Sequence, residues 1–498
     1  MDKFKDTKEQ NRIFKQIQTS KKNLLVQARA GSGKTSTIVK AVKYLPEDAS
    51  ITFLAFNKHI QEELRTKLPD HVRCSTCHGL GMGALKRKYK DSMEFDEFKL
   101  HRIVQQASKR WKLDFTNTHL VEDYLKDIRM LANLCRLTLT LKKKYIPNLA
   151  EKYGIKTTSQ QDLKRIMDVM DKAYNDRKTF DFTDMIYLPA IDNKLWLFPQ
   201  DYVIVDECQD LNNAQFEIVK KMLKKDKKGN IIGKFIGIGD EKQSIYGFSG
   251  SGLNMFDKFK KLPFTEILPL TVSFRCAKEV IREAQKIVPD IKAMPNAPEG
   301  VVRDGNVLEE AKDGDFILCR TTLPLLELFF EFLMEDKKAM IKGSDLGKSL
   351  VHMTDGFDNI KDMISSYKSE LYQYRLKLKA RGLTDPSEDS GYAALEDKVL
   401  VLEFLGKLTK SIEDLKDKIL TIFRDDLQGI ILSTVHKAKG LEADRVFIIR
   451  PDLLPMTNVR MGWEHIQEKN LEYVAVTRAK RELVYDMDYN IPKEKENE

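Results

Sequence analysis

The chain has 498 residues, 42% hydrophobic and 32% charged, which at about 150 residues per domain is material for roughly three domains and excludes a wholly disordered chain. Lysine and arginine number 84 against 75 aspartates and glutamates, a balance of +9. That balance allows a nucleic-acid partner and equally an ordinary enzyme, so charge alone decides little.

The first residues, MDKFKDTKEQ, contain no apolar segment, so no secretory leader is expected. Short apolar runs rich in Val, Ile and Phe occur at Asn23–Ala28, 51–55, Tyr202–Val205, 235–239, Phe316–Cys319, 429–433 and 446–449. Turn signals or helix-forming stretches come after most of them, as buried parallel strands of α/β domains require. Residues 86–178 and 345–427 break this pattern with helical spacing, many charges and few strand-like runs. They predict two helical insertions, with amphipathic segments at 360–378 and 394–420 and a loop at Thr384-Asp385-Pro386-Ser387. The most apolar long run, Leu323–Met334, is interrupted by two glutamates and is shorter than the about 20 residues of a membrane span. The tail 492–498 is polar and expected to fray. Six cysteines fit a reducing compartment, and the expected location is cytoplasmic, the host-cell cytoplasm if the origin is viral. Cys74-Ser75-Thr76-Cys77-His78 has the spacing of a c-type haem attachment site, an indication that so short a pattern carries weakly.

The strongest local signal is Ala28-Arg29-Ala30-Gly31-Ser32-Gly33-Lys34-Thr35, between a strand-like run and a helix-like one at 36–44. That setting is the one a phosphate-binding loop requires. Gly31 and Gly33 let backbone N–H groups close around phosphate oxygens. Lys34 brings a point charge to the β/γ-phosphates, and Thr35 offers a hydroxyl to Mg²⁺. Ala28 stands where the general pattern has its first Gly, and a Gly-rich turn without a ligand is the plain alternative for this segment alone.

Tyr202–Val205 ends in Asp206-Glu207. A carboxylate at a strand end beside such a loop can hold Mg²⁺ through water, and its neighbour can orient or deprotonate an attacking water. An Asp-Glu pair by itself is a solvated turn; combined with the loop it points to nucleoside triphosphate hydrolysis. Lys34 and Asp206 are separated by far more chain than one or two βα units need. The stretch 86–178 is therefore expected to lie inside a nucleotide-binding domain.

At this point the chain resembles the UvrD/Rep-type superfamily 1 DNA helicases, in wording closest to compact phage members and the F-box helicase branch. Asp206-Glu207-Cys208-Gln209-Asp210 resembles their motif II, and Gly239-Asp240-Glu241-Lys242-Gln243-Ser244-Ile245-Tyr246-Gly247-Phe248 their motif III. Thr7-Lys8-Glu9-Gln10 resembles the adenine-reading motif, Asn57-Lys58 motif Ia, and Thr76-Cys77-His78-Gly79-Leu80-Gly81 motif Ib, which absorbs the haem-like match. Asp181-Phe182-Thr183-Asp184 resembles the motif that re-enters the core after the first insertion. Ser273-Phe274-Arg275, the segment Thr434-Val435-His436-Lys437-Ala438-Lys439-Gly440-Leu441-Glu442, and Tyr473-Val474-Ala475-Val476-Thr477-Arg478-Ala479 resemble motifs IV, V and VI. The motifs occur in family order.

The resemblance implies roles. Ala30, Gly31, Ser32, Gly33, Lys34, Thr35 and Ser36 would cradle the phosphates of ATP, and Thr35 and Asp206 would hold Mg²⁺. Gln10 would read the adenine edge, Phe274 would stack on the base, and Glu442 would accept from the ribose. Glu207 would activate water and Gln243 would sense the γ-phosphate. Arg275 and Arg478, from the second domain, would neutralise developing charge, an effect worth about 10³–10⁵ in rate in related hydrolases. Phe182 and Phe248 would be stacking platforms worth about 1–3 kcal/mol per base. Asn57, Thr76, His78, Tyr246, Thr434 and His436 complete the implied DNA-contacting set. Outside this motif context a lone Phe is ordinary core, and Asn57, Thr76, His78 and His436 are ordinary turn and cap residues. The basic runs Lys86-Arg87-Lys88-Tyr89-Lys90, Lys142-Lys143-Lys144 and 224–228 are more often solvated faces than phosphate contacts.

Three departures stand out. Arg29 sits where the family often has Gly, Phe248 where it often has Trp, and Ser249 where many members have Arg. The expected architecture is α/β: two RecA-like P-loop NTPase domains with parallel sheets, each carrying a helical insertion. The expected boundaries are 1–85 with 179–265, the insertion 86–178, then 266–344 with 428–498, and the insertion 345–427. The expected activity is an ATP-dependent single-stranded DNA translocase and helicase, 3′-to-5′ by resemblance, a monomer acting on single strands and junctions, with a protein partner open. The rival is a DNA-stimulated ATPase serving as a sensor or partner subunit. A generic P-loop kinase has no use for the motifs around Gln243 and His436.

Overall fold

The computed structural model describes residues 5–489 apart from 112, 114–117, 156, 248–249, 251–254, 381–384, 387–388, 425–428, 458 and 460. Phe248, Ser249, Thr384, Ser387 and the tail 492–498 lie outside the described residues. The chain divides into two units, Met1–Thr271 and Val272–Glu498.

The first unit contains β1 (Asn23–Ala28), β2 (Ile51–Leu54), β3 (Val72–Ser75), β4 (Glu94–Phe95), β5 (Thr179–Phe180), β6 (Tyr202–Val205), β7 (Lys234–Gly239) and β8 (Thr265–Leu270). Six of these form a parallel sheet in the order β3-β2-β6-β7-β1-β8. Every residue of β7 is buried, and β1 is buried at Leu24, Leu25, Val26 and Ala28. Central parallel strands covered on both faces read as continuous apolar runs for this reason. One face packs Ile13, Phe14, Ile38 and Ala41 over Phe53 and Ile236. The other packs Leu80, Met185, Ile218 and Phe259 over Val203 and Phe235. Gly81 is required on that second face: a Cβ there would lie 1.5 Å from the Met185 carbonyl oxygen.

β8 runs through the expected change of domain at 265/266. It pairs with β1 along its whole length, from Asn23–Thr265 to Ala28–Leu270. It therefore belongs to the first sheet, which corrects that boundary. The polar start of β8, Thr265-Glu266, and its internal Pro269 hid it in the sequence, and Pro is tolerated on such an edge strand.

Between β3 and β6 lies a helical insertion, helices Lys99–Ser108, Thr118–Thr138, Ile146–Lys152 and Gln160–Asn175. It has a hydrophobic core of its own, including Ile128, Leu131, Ile166 and Val169. β4 pairs with β5 where the chain leaves and returns. A buried charge cluster fastens it there. The Arg136 guanidinium donates to Asp181 (2.8 and 2.7 Å) and to Asp184 (2.7 Å), and Lys99 Nζ donates to Asp184 (2.7 Å). Arg136, Lys99 and Asp184 are fully buried. Removing one member leaves an uncompensated charge, so Arg136→Met is expected to destabilise the protein by about 3–5 kcal/mol, measured by urea unfolding. A change under about 1 kcal/mol would show the cluster to be water-relaxed.

The second unit contains β9 (Val272–Ser273), β10 (Lys292–Ala293), β11 (Val301–Asp304), β12 (Phe316–Cys319), β13 (Ala339–Lys342), β14 (Phe423–Arg424), β15 (Ile430–Thr434), β16 (Ala443–Ile449) and β17 (Ala479–Asp486). Seven form a parallel sheet, β11-β17-β16-β12-β15-β13-β14. Helices Ser344–Met353, Ile360–Ala380, Ser390–Lys407 and Ile412–Ile422 come between β13 and β14. Unlike the first insertion, this one shares its core with the sheet: Leu402, Leu415 and Ile419 belong to the same apolar cluster as Ile317, Leu432 and Phe447. Its Asp397 carboxylate also accepts from the Thr322 and Leu323 N–H groups (3.0 and 3.2 Å). That caps helix Leu323–Met334, whose own N-cap side chain makes no capping hydrogen bond. Among the described residues no helix is long and apolar enough to cross a membrane.

Candidate functional site

In a parallel sheet the strands end on the same edge, and β1, β7 and β6 are consecutive neighbours. The residues just after them are therefore gathered together. After β1, Gly31 (φ 68°) and Gly33 (φ 74°) adopt left-handed backbone, which a side chain would strain. Helix Lys34–Val42 starts at Gly33 with no side-chain cap, so its first N–H groups are available to an anion. Ala30 and Ser32 are fully buried, Gly31 and Thr35 half-buried, and Ser36 exposed. The Ser32 hydroxyl has no hydrogen-bond partner among the described residues.

Lys34 Nζ donates to Gln243 Oε1 (3.0 Å) and lies 3.3 Å from Glu207 Oε1. Thr35 Oγ1 donates to Asp206 Oδ2 (2.9 Å). Lys34, Thr35, Asp206, Glu207 and Gln243 thus form one cluster. Consecutive strand residues normally face opposite ways. Here Glu207 takes φ 48°, a left-handed turn that brings both acids to the loop. Burial, then the neighbouring Glu207, pushes the Asp206 carboxyl up to about 6, against the opposing pull of Thr35 and Lys34. A buried acid in this condition favours a cation. The Thr35 hydroxyl and Asp206 carboxylate are hard oxygen donors, a set that suits Mg²⁺ completing its shell with phosphate and water.

Gln209 had no assigned role in the sequence. Its Nε2 donates to Glu207 Oε2 (2.6 Å), and its Oε1 accepts from the Asp240 N–H (3.1 Å). It fits only because residue 239 is glycine: a Cβ there would lie 2.1 Å from Gln209 Oε1. Its place two residues beyond the acid pair was the available signal.

Gln10 is buried at the start of helix Lys8–Thr19, in a capping box with Thr7. Its Oε1 accepts from the Thr7 N–H (2.9 Å) and its Nε2 donates to Thr37 Oγ1 (2.9 Å). One amide donor and one lone pair remain for a base edge.

Of the residues expected to contact a DNA strand, Asn57 and Thr76 are helix N-caps, accepting from Ile60 N–H (2.9 Å) and Gly79 N–H (3.0 Å). Their side-chain oxygens are engaged in capping. His78 is half-buried, and burial lowers its imidazole below the ordinary value. Cys77 begins the helix that Thr76 caps, and its buried thiol is pushed up to about 12 by burial. Phe182 is 56% exposed and meets Phe95 edge-on at 4.8 Å. Tyr246 stacks on Phe56 (5.9 Å, 16°). The neighbouring Gly247 carbonyl accepts from the Tyr153 hydroxyl of the first insertion (3.1 Å), a tie that no sequence signal announced.

In the second unit, Arg275 pairs with Glu442 and donates to the Thr477 carbonyl (3.2 Å), and Lys480 pairs with Glu442 (3.2 Å). Burial alone would raise the Glu442 carboxyl, but Arg275 and Lys480 outweigh it and hold it below its ordinary value. Arg478 is buried, donating to the Val474 and Leu441 carbonyls (2.9 and 3.1 Å). Burial, reinforced by Arg275, lowers its guanidinium to about 9. Phe274 is half-buried. Thr434 closes β15, its carbonyl accepting from Lys437 and Ala438 N–H (both 3.0 Å). Burial, with Arg320 and Lys437 nearby, lowers His436 to about 3, so its imidazole is neutral at pH 7. Among the described residues no group of three or more His, Cys, Asp and Glu is arranged to hold a metal.

Comparison with known proteins agrees with this arrangement. The UvrD/REP helicase N-terminal domain profile matches residues 7–263, just over half of the chain, and the UvrD-like helicase C-terminal domain profile matches residues 429–484. F-box DNA helicase protein 1 of Schizosaccharomyces pombe is 26% identical over 93% of this chain and 55% of its own length. F-box DNA helicase 1 of Gallus gallus is 26% identical over 97% of this chain and 49% of its own. ATP-dependent DNA helicase Rep of Escherichia coli is 25% identical over 53% of this chain and 41% of its own. The chain thus spans about half the length of the F-box relatives it matches. With a glycine-rich loop, an acid pair and a glutamine gathered at one sheet edge, and a family profile matching residues 7–263, the chain belongs to the UvrD/Rep helicase family.

Proposed function

We propose that the chain is an ATP-dependent single-stranded DNA translocase and helicase that steps 3′-to-5′. The observation that carries this reading is the cluster of Lys34, Thr35, Asp206, Glu207 and Gln243. Its members come from three strand ends and serve no other evident purpose together.

The uncapped helix at Gly33 and the loop N–H groups bind the phosphates, and Lys34 orients them. Thr35 and Asp206 hold Mg²⁺, which when bound neutralises phosphate charge. Glu207, steadied by Gln209, positions or deprotonates the attacking water. Arg275 and Arg478 neutralise charge on the transferred phosphoryl group, Phe274 stacks on the base, Gln10 reads its edge, and Glu442 exchanges its arginine and lysine partners for the ribose. Phe182 and Phe248 stack on bases, and Tyr246, with Asn57, Thr76, His78, Thr434 and His436, tracks the strand. Residues 86–178 and 345–427 are the two insertions. Stepping results when each nucleotide state favours a different grip on the strand.

The deciding measurement is ATP hydrolysis and strand separation, side by side, on forked duplexes with tails of opposite polarity. Unwinding of the 3′-tailed fork alone is expected. DNA-stimulated hydrolysis with no strand separation on either fork would assign the chain instead to a sensor or partner subunit. Hydrolysis indifferent to DNA would remove the DNA reading.

A further inference from the structure

Arg29 is the departure that the family pattern leaves unexplained, and the structure gives it a partner. The residue is 4% exposed inside the phosphate loop. Its guanidinium donates to the Ala28 carbonyl (3.1 Å) and lies 3.4 Å from Asp240 Oδ1. Asp240 is fully buried at the end of β7. β7 is the strand beside β1, with Gln27 opposite Gly239, so the two residues face each other across adjacent strand ends.

Asp240 also organises the turn just beyond β7. Its Oδ1 accepts from the Lys242 N–H (3.1 Å), and its carbonyl accepts from the Gln243 N–H (2.9 Å). Its own N–H donates to Gln209, which holds Glu207. Gln243 in turn accepts from Lys34. A closed circuit results: loop, Arg29, Asp240, the 241–243 turn, Lys34 and back to the loop. Tyr246, stacked on Phe56, is three residues beyond it. Asp240 Oδ2 has no hydrogen-bond partner among the described residues. A buried carboxylate with one oxygen unbonded depends on nearby cations to stay in place; Lys34 and Arg29 both draw on Asp240, and of the two only Arg29 is in ion-pair reach.

We infer that Arg29 is a positioning residue: through Asp240 it ties the phosphate loop to the 241–246 segment and so sets how strongly single-stranded DNA stimulates ATP hydrolysis. This rests on the function proposed above. A residue that merely shaped the loop would change the KM for ATP; one that relays between the sites changes the ratio of stimulated to unstimulated turnover.

The test measures that ratio, with the KM for ATP, in Arg29→Met, Arg29→Lys, Asp240→Asn and the double variant R29M/D240N. The ratio is expected to fall about fivefold or more in Arg29→Met and Asp240→Asn, a typical coupling between sites. The double variant is expected to be no worse than either single, and Arg29→Lys to recover part of the loss. If Arg29→Met fails to fold, the same loss is required of the double variant, which buries no lone charge. A wild-type ratio in these variants, or a raised KM with the ratio intact and additive effects, overturns the assignment while leaving the function standing. A wild-type protein that DNA does not stimulate overturns both.

Discussion

Glu207→Gln is expected to lower the turnover number for ATP by about 10²–10⁴-fold, the usual contribution of a positioned general base, with nucleotide still bound. The amide keeps the size of the carboxylate. Its oxygen can still accept from Gln209 Nε2, now at 2.6 Å, and the left-handed turn at 207 is unaffected. What disappears is the charge facing Lys34 at 3.3 Å and the ability to take a proton from water. Single-turnover hydrolysis and equilibrium nucleotide binding separate these effects. A variant that turns over ATP at the wild-type rate would take Glu207 out of the chemistry.

Asp206→Asn is expected to act in two opposite directions, abolishing turnover and stabilising the nucleotide-free protein at pH 7. Turnover is lost because the amide cannot serve as an anionic ligand to Mg²⁺. The stability effect arises because the carboxyl is raised from 3.8 to about 6, chiefly by burial and then by Glu207. A group raised on folding favours the folded state while protonated. That contribution is complete below the unfolded value and is lost as pH rises through about 6. At pH 7 the ionised acid therefore costs on the order of 1–3 kcal/mol, which asparagine removes. Urea unfolding at pH 5 and pH 7 reads the effect as a gain at the higher pH that shrinks at the lower. Asp240, also raised to about 6 by burial, remains in the variant, so the pH dependence is reduced and not abolished. Equal stability of variant and wild type at pH 7 would show that Asp206 is not strained in the empty site.

The strands visible in the sequence are the central ones. In the first sheet β1, β2, β6 and β7 stand out as apolar runs, while the edges β3 and β8 do not. In the second, β12, β15 and β16 stand out, and the outer β11, β13, β14 and β17 do not. A central parallel strand is covered on both faces and is apolar along most of its length; an outer strand keeps exposed or partly exposed polar residues such as Arg73 in β3 and Arg303 in β11. The phosphate loop was legible because its chemistry is contiguous. The joining of Lys34 to Asp206 was legible from an acid pair at a strand end, and that of Lys34 to Gln243 only through motif order, since strand adjacency is not written locally. Nothing local showed that Glu207 turns left-handed or that Arg29 meets Asp240, and Gln209 offered only its place two residues beyond the acid pair.

The two insertions differ in how freely they can change. The first has an apolar interior of its own and meets its parent domain through paired short strands, a buried charge cluster, the Tyr153–Gly247 and Asn213–Thr138 hydrogen bonds, and Leu137, Leu139 and Tyr174 against the sheet's core. A module with its own core can open locally while the sheet stays closed. The second lends Leu402, Leu415 and Ile419 to the sheet's own interior and caps a helix beside it through Asp397. Loosening the second insertion therefore disturbs the sheet's own interior, whereas the first keeps most of its buried core to itself.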